Sequence, residues 1–339
     1  MEKRLASLDK AAYAELTRIV TKAGLLERQP FFYVCTFVVD TVLLLGVLAA
    51  LVVAEYLWQD LLVATLLALV FLRWAGNLHD AAHRQIFTRP FPNDIVGLIA
   101  ASIAGTSFSW WFQGHNRHHR YPNDEELDPD ANVPVLAFSK DQASTKKGIK
   151  RLIVAHQAWL IFPLRTLVVF VLKISTINFL RRKQARYKKV EILGFCVHHA
   201  VYFFGLGLLL GPLDTLVFVL INYMVLGVVF ATIFAPGHKG MTMLQNSASY
   251  SFLVRQTITT RNTKVGAVLE FFSLGVAQQI EHHLFPSMPR NNLSKARPFF
   301  QAFCNKYNLP YQRTSFWQAQ QETFAQLKDV SKSLNVTSV

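Results

Sequence analysis

Four stretches of this 339-residue chain, roughly 31–54, 61–78, 191–211 and 213–236, stay apolar for about the 20 residues that a membrane-spanning helix requires. Nothing else in the sequence narrows its fold so far. Composition points the same way: 52% of residues are hydrophobic, 27 are Phe and 17% are charged, where a soluble globular domain carries about 25% charged residues. The length would suit one or two soluble domains, and it suits a membrane bundle with a cytosolic cap equally well. Cys35, Cys196 and Cys304 are isolated, odd in number and set among apolar residues. They indicate neither a disulfide framework nor a thiolate metal site. The first 30 residues are polar and helix-prone, unlike the apolar core of a cleavable signal. No internal repeat or low-complexity segment occurs.

Two further apolar runs are expected not to span. Ile95 to Gln113 carries no charge, but counting it as a span puts His79 and His83 across the membrane from His115, His118 and His119. Its Gly97, Gly105, Ser102, Thr106, Ser107 and Ser109, ending in Trp110 and Trp111, suit a re-entrant or interfacial helix over 95–113 anchored by aromatic residues. The stretch 152–178 is interrupted by Pro163, Arg165 and Lys173 and reads as an interfacial amphipathic helix. The expected fold is an all-α membrane protein forming one domain over 1–339. It has four transmembrane helices and a cytosolic helical cap built from 79–189 and 238–339.

Charge placement gives that arrangement a direction. The expected outer loops, Glu55 to Asp60 and Gly211 to Asp214, hold three acids and no Lys or Arg. The inner segments hold 6 basic residues in 1–30, 17 in 79–189 and 11 in 238–339, and Arg73 lies inside the second span. The positive-inside rule therefore places both termini and every clustered histidine in the cytosol, in a bacterial plasma membrane or endoplasmic reticulum. The net charge of +14 reads as an inner face meeting anionic lipid. No basic cluster separates from the membrane flanks, which argues against nucleic acid as a partner.

Seven of the eleven histidines fall in three motifs: His79-Asp80-Ala81-Ala82-His83, His115-Asn116-Arg117-His118-His119 and Gln279-Ile280-Glu281-His282-His283. On a helix, positions i, i+3 and i+4 share one face, so each motif can aim its ring nitrogens at one point. Imidazole suits Zn, Cu, Fe and Ni. Seven clustered imidazoles exceed what one catalytic zinc uses, which is three protein ligands and an open position. Two metals fit better. Soluble di-iron bundles use Glu and Glu-x-x-His pairs, a pattern missing here. A histidine-rich cytosolic centre beside lipid suggests oxidative attack on an acyl chain. His238 emerges at the same membrane level as His79 and is a further candidate ligand. His156 sits in an interfacial stretch, and His198 with His199 lies inside the third span, leaving that pair as a tunnel or outer-sphere candidate. Asp80, Glu281, Asp124, Glu125 and Glu126 are acids placed to orient imidazole N–H groups, though the acidic run 124–130 reads more readily as solvated cap surface.

The H-x-x-x-H, H-x-x-H-H and Q-x-x-H-H series resembles the membrane fatty acid desaturases. The stretch from Gln279 to Arg290 is similar to the front-end subgroup, in which glutamine replaces the first histidine of the third box. The resemblance covers about 30–305. It implies a mushroom-like fold, a kinked acyl tunnel, two irons, O2 as co-substrate and two electrons from outside. It carries over His79, His83, His115, His118, His119, His282 and His283 as iron ligands, His238 as the extra ligand after the last span, and Gln279 as a ligand or near-ligand. Many eukaryotic front-end members carry a fused cytochrome b5 domain with an H-P-G-G motif. That motif does not occur here and about 30 residues precede the first span, so the expectation is no such domain. The expected electron donor is external, a ferredoxin or cytochrome b5 with its reductase. Gly237 also precedes His238 where relatives often have a polar residue.

The leading functional expectation is an acyl-lipid or acyl-CoA desaturase forming a cis double bond in a long acyl chain. A lipid hydroxylase on the same di-iron scaffold is the enzymatic alternative. A metal or proton transporter would place its ligands near the bilayer midplane, whereas these lie at and beyond the cytosolic helix ends. Asp40 and Arg73, both inside apolar runs, are expected to pair.

Overall fold

A computed structural model describes residues 2–182 and 184–336. In chain order the helices begin with α1 (Glu2–Lys22), α2 (Pro30–Val52), α3 (Leu57–Ala82), α4 (Pro90–Ile103) and α5 (Phe108–Arg120). There follow α6 (Lys140–Ser144), α7 (Gly148–Ala155), α8 (Gln157–Arg165), α9 (Val168–Arg181) and α10 (Lys188–Phe234). The last five are α11 (Phe252–Thr259), α12 (Ala267–Ser273), α13 (Gln279–Leu284), α14 (Arg290–Lys306) and α15 (Phe316–Val336). The expectation of an all-α chain needs one correction. Strand β1 (Asn262–Lys264) pairs in parallel with β2 (Arg313–Ser315), Thr263 lying opposite Thr314.

The chain divides into two compact units, an apolar one of Arg28–Gln113 and Phe162–Ala231, and a histidine-rich one of Met1–Glu27, Gly114–Ile161 and Thr232–Val339. In the apolar unit, α2 starts with Pro30 in its first turn, where proline's missing N–H costs nothing. It buries Tyr33, Thr36, Asp40, Val47 and Leu51 along one face and leaves Val34, Val38, Val42 and Leu45 exposed. A helix that exposes this much aliphatic surface is built for a lipid solvent. By contrast, α3 is mostly buried. The two helices are joined by the expected pair: Arg73 Nε donates to Asp40 Oδ1, and Asn77 Nδ2 donates to Asp40 Oδ2 at 2.7 Å.

Three helices, α2, α3 and the segment containing α10, are long and apolar enough to cross a membrane. The last is two helices in tandem, because Gly211 adopts φ 77°, ψ 174° and Pro212 follows it. A left-handed φ is available to glycine at no steric cost, and proline cannot donate to the preceding turn.

The two weaker runs are broken differently from expectation. The run 95–113 is not one helix, since α4 and α5 meet at 108°. Gly105, with φ 62°, ends α4, and Lys173 Nζ donates to the terminal carbonyls of Ala104 (2.7 Å) and Gly105 (2.6 Å). The Glu191 carboxylate, far along the chain, accepts from Ser107 Oγ, Ser109 Oγ (2.5 Å) and Ser109 N (3.1 Å) and so restarts the chain as α5. Likewise 152–178 holds parts of three helices, with α8 and α9 bent by 70°. The break falls just after Arg165, and Pro163 sits inside α8.

The histidine-rich unit has its own core, in which α1 supplies Leu16 and Val20 against Ile280, Leu284, Met288, Phe300 and Phe303. Tyr13 stacks on Phe285 with centroids 5.2 Å apart and donates its hydroxyl to Leu284 O at 2.9 Å. The N-terminal helix thus fixes α13, which carries the third histidine motif. On another side α15 grips the turn after α10. Arg261, fully buried, donates to Pro236 O at 2.7 Å, to Lys239 O and to Glu322, and Gly240 N donates to Gln326 Oε1 at 2.7 Å.

Candidate metal centre

Within the histidine-rich unit the imidazoles form two neighbouring trios. His118, His238 and His283 are all buried, and one ring nitrogen from each lies within 4.8 Å of the others. His115, His119 and His282 meet the same limit. The trios adjoin, with the His119 and His283 rings stacked 4.1 Å apart. In the apolar unit, His79 and His83 lie at the end of α3 with ring centroids 4.7 Å apart, and His79 Nδ1 is 3.2 Å from Asp80 Oδ1.

Each ring of the first trio is held from behind. His118 Nδ1 faces both oxygens of Asp128 at 3.0 Å, His238 Nδ1 faces Thr259 O at 3.2 Å, and His283 Nδ1 faces Gln256 Oε1 at 2.9 Å. A histidine that donates its Nδ1–H in this way is fixed in tautomer and presents the Nε2 lone pair. The Nε2 atoms of His118 and His238 are 3.2 Å apart, as are those of His115 and His119. Two imidazole donors each about 2.0–2.1 Å from one ion, at octahedral to tetrahedral angles, sit roughly 2.9–3.4 Å apart. The spacing therefore fits a metal.

Gln279 completes this arrangement. Its Nε2 is 2.6 Å from His238 Nε2, and its buried Oε1 has no partner. A half-turn of the amide presents the oxygen, the metal-binding atom, at that point. Gly237 makes the approach possible, because a Cβ there would lie 3.1 Å from Gln279 Cγ.

The supporting residues are mostly those that sequence reasoning passed over. Asp128 is fully buried and Asp124 nearly so, which corrects the reading of 124–130 as solvated surface. Burial opposes charge on His118, yet the charge and hydrogen bond of Asp128 outweigh it and raise the imidazole above its ordinary value. Burial would lift Asp128 too, but His118 and Lys239 hold its carboxyl at about 2. Burial and the neighbouring His118 push His238 well below its usual value, so its lone pair stays available. Asn123, in a left-handed turn at φ 55°, donates to His238 O (3.0 Å) and Thr242 O (3.1 Å). Gln256 donates to His119 O at 2.9 Å while accepting from His283. Glu281 touches no imidazole: its oxygens accept from Asn262 Nδ2 (2.7 Å) and Tyr311 OH (2.5 Å), tying α13 to β1. Glu125 and Glu126 make no contact with a ring nitrogen among the described residues. His156, His198 and His199 join no group of three metal-binding side chains there. The first and last bond their own helices, through Leu152 O (3.1 Å) and Phe195 O (2.8 Å).

With that geometry in hand, comparison with known proteins is decisive about kinship. Residues 56–315 match the family model described as fatty acid desaturase. The chain belongs to the fatty acid desaturase family. It is 27% identical to an acyl-lipid (9-3)-desaturase of Physcomitrium patens, over 95% of this chain and 63% of that protein. It is 28% identical to a Delta(8)-fatty-acid desaturase of Euglena gracilis, over 88% of this chain and 74% of that one. A Delta(6)-fatty-acid desaturase of Caenorhabditis elegans is 27% identical over 88% and 71% respectively. The chain thus spans between about three fifths and three quarters of the length of these relatives. Family membership accounts for all three motifs together, and for glutamine at position 279 in particular.

Proposed function

We propose that the chain is a di-iron, O2-dependent desaturase that introduces a cis double bond into a long-chain acyl group, carried as an acyl lipid or acyl-CoA. The observation that carries this reading is the pair of adjoining imidazole trios, one of them with every Nδ1 engaged by Asp128, Thr259 O or Gln256. The proposed ligands are His118, His238, His283, His115, His119 and His282, with Gln279 at or near the metal. His79 and His83 join them on the strength of their sequence motif. Bound there, iron supplies the redox capacity to use O2 for removing hydrogen from an unactivated C–H bond.

The protein's own part is position and dryness. Methylenes along an alkyl chain are nearly equivalent chemically, so selectivity comes from holding one of them within reach while water is excluded. The proposed topology has four spans, with α10 contributing two across Gly211, both termini and the metal centre in the cytosol, and electrons arriving from a separate carrier.

Expression in a host with a competent reductase, followed by mass spectrometry that locates double bonds, tests the reading. A new cis-unsaturated acid should accumulate with the wild-type chain and be absent with His119→Ala. The purified protein should hold two irons, and His283→Ala should lose at least one. Hydroxylated acids alone would move the assignment to a hydroxylase, and active protein holding one zinc and no iron would end the di-iron proposal.

A further inference from the structure

Away from the histidines, the histidine-rich unit carries an open cleft of about 730 Å³ lined by Asn132, Thr145, Lys146, Lys147, Ile149 and Lys150. Three ammonium groups and the start of α7 converge there. Lys146 Nζ is pinned over the loop carbonyls of Val133 (3.1 Å) and Pro134 (3.2 Å), and Arg151 reaches Leu334 O at 3.1 Å. Among the described residues no carboxylate pairs with Lys146, Lys147, Lys150 or Arg151. The first-turn N–H groups of α7 have no side-chain cap, since Lys147 occupies the cap position. Uncapped N–H groups at a helix start favour an anion.

The rest of α7 argues for the kind of anion. Its inner side is docked, Val154 packing with Ala137, Ala143, Val330 and Leu334 and accepting from Ser331 Oγ at 2.8 Å. Its outer side exposes Ile149 (67%) and Leu152 (57%), one helical turn apart, and Trp159 beyond it is 68% exposed. A free phosphate has no use for aliphatic and indole surface beside its lysines. A phospholipid does, because its phosphate sits at the level where lysines gather and tryptophan anchors, and its chains lie immediately below.

We propose that this cleft seats one anionic glycerophospholipid of the bilayer in which the chain resides, the phosphate among Lys146, Lys147, Lys150 and the start of α7, and the upper acyl region against Ile149 and Leu152. The proposal needs only that the chain is membrane-embedded. It is independent of the desaturase reading, and lipid binding is measured separately from product formation.

The test uses the full chain purified in neutral detergent, with native mass spectrometry to follow titration by dioleoylphosphatidylglycerol or dioleoylphosphatidylcholine. Wild type should take up one phosphatidylglycerol ahead of phosphatidylcholine. The triple variant Lys146→Gln, Lys147→Gln, Lys150→Gln should bind phosphatidylglycerol on the order of 100-fold more weakly, taking about 1 kcal/mol per lysine and 1.4 kcal/mol per tenfold. Its phosphatidylcholine binding should not change. Ile149→Ser with Leu152→Ser, which leaves the docked side of α7 intact, should weaken both lipids and keeps the test decisive if the triple variant does not fold. Equal phosphatidylglycerol binding by wild type and either variant overturns the proposal. So does displacement of the lipid by equimolar inorganic phosphate, which would make the cleft a free-anion site.

Discussion

Asp128 shows how much a metal centre depends on residues that never touch the metal. It is buried, it holds His118 Nδ1 with both oxygens, and its Oδ2 also accepts from Asn123 N at 2.8 Å. Asn at this position keeps the volume but loses one acceptor and the charge that raises His118. Removing such an outer partner costs 10–100-fold in metal affinity in comparable sites. Asp128→Asn should therefore fold and bind iron about 10–100-fold more weakly, as read by metal titration of the apoprotein. Undiminished affinity would reduce Asp128 to a structural residue. Cys304 makes the opposite kind of prediction. Burial, with the charge of Glu281 added, pushes its thiol up to about 12, and the thiolate is the reactive form. The thiol stays protonated at every pH below that value. In folded protein at pH 8, N-ethylmaleimide should leave Cys304 unmodified, while denaturation should expose it. Peptide mapping by mass spectrometry reads the outcome directly.

At the scale of elements, the joint between α2 and α3 is electrostatic where its surroundings are aliphatic. Asp40 is fully buried and Arg73 nearly so, and Asn77 occupies the second carboxylate oxygen. An unpaired charge at membrane depth costs about 2.5–3.5 kcal/mol on insertion scales. Asp40→Ala or Arg73→Ala alone should lose stability of that order, measured by thermal unfolding in detergent. Reversing the pair with Asp40→Arg and Arg73→Asp should recover part of it. A reversed pair no more stable than either single variant would mean that the contact contributes nothing. Helix ends obey the same rule of partners: Lys173 satisfies the last carbonyls of α4, and Glu191 satisfies the first donors of α5. Those two side chains explain why a charge-free run of apolar sequence bends by 108°.

For the molecule as a whole, the net charge of +14 is the property with the widest reach. Long-range attraction of this kind raises encounter rates with acidic partners and is screened by salt. With a limiting acidic electron carrier, a ferredoxin or soluble cytochrome b5, turnover should fall steeply as ionic strength rises. A saturating carrier should remove most of that dependence. Turnover indifferent to salt at limiting carrier would argue against electrostatic docking of the donor.

The sequence by itself determined what is periodic or local. Apolar runs of about 20 residues specified the membrane helices, Gly211-Pro212 marked the kink in α10, and the i, i+3, i+4 spacing named the imidazoles that the histidine-rich unit brings together. Helix geometry repeats every 3.6 residues, so such facts can be read without the fold. Tertiary structure decided everything that joins distant residues. Asp128, Gln256 and the carbonyl of Thr259 became the partners of His118, His283 and His238, Glu191 came to the start of α5, and β1 found β2 across fifty residues of helix and loop. No spacing rule marks an aspartate in an acidic run as buried, or a glutamine as the holder of an imidazole. A buried polar group must find its partner wherever folding brings one within reach, and that is a property of the packed chain.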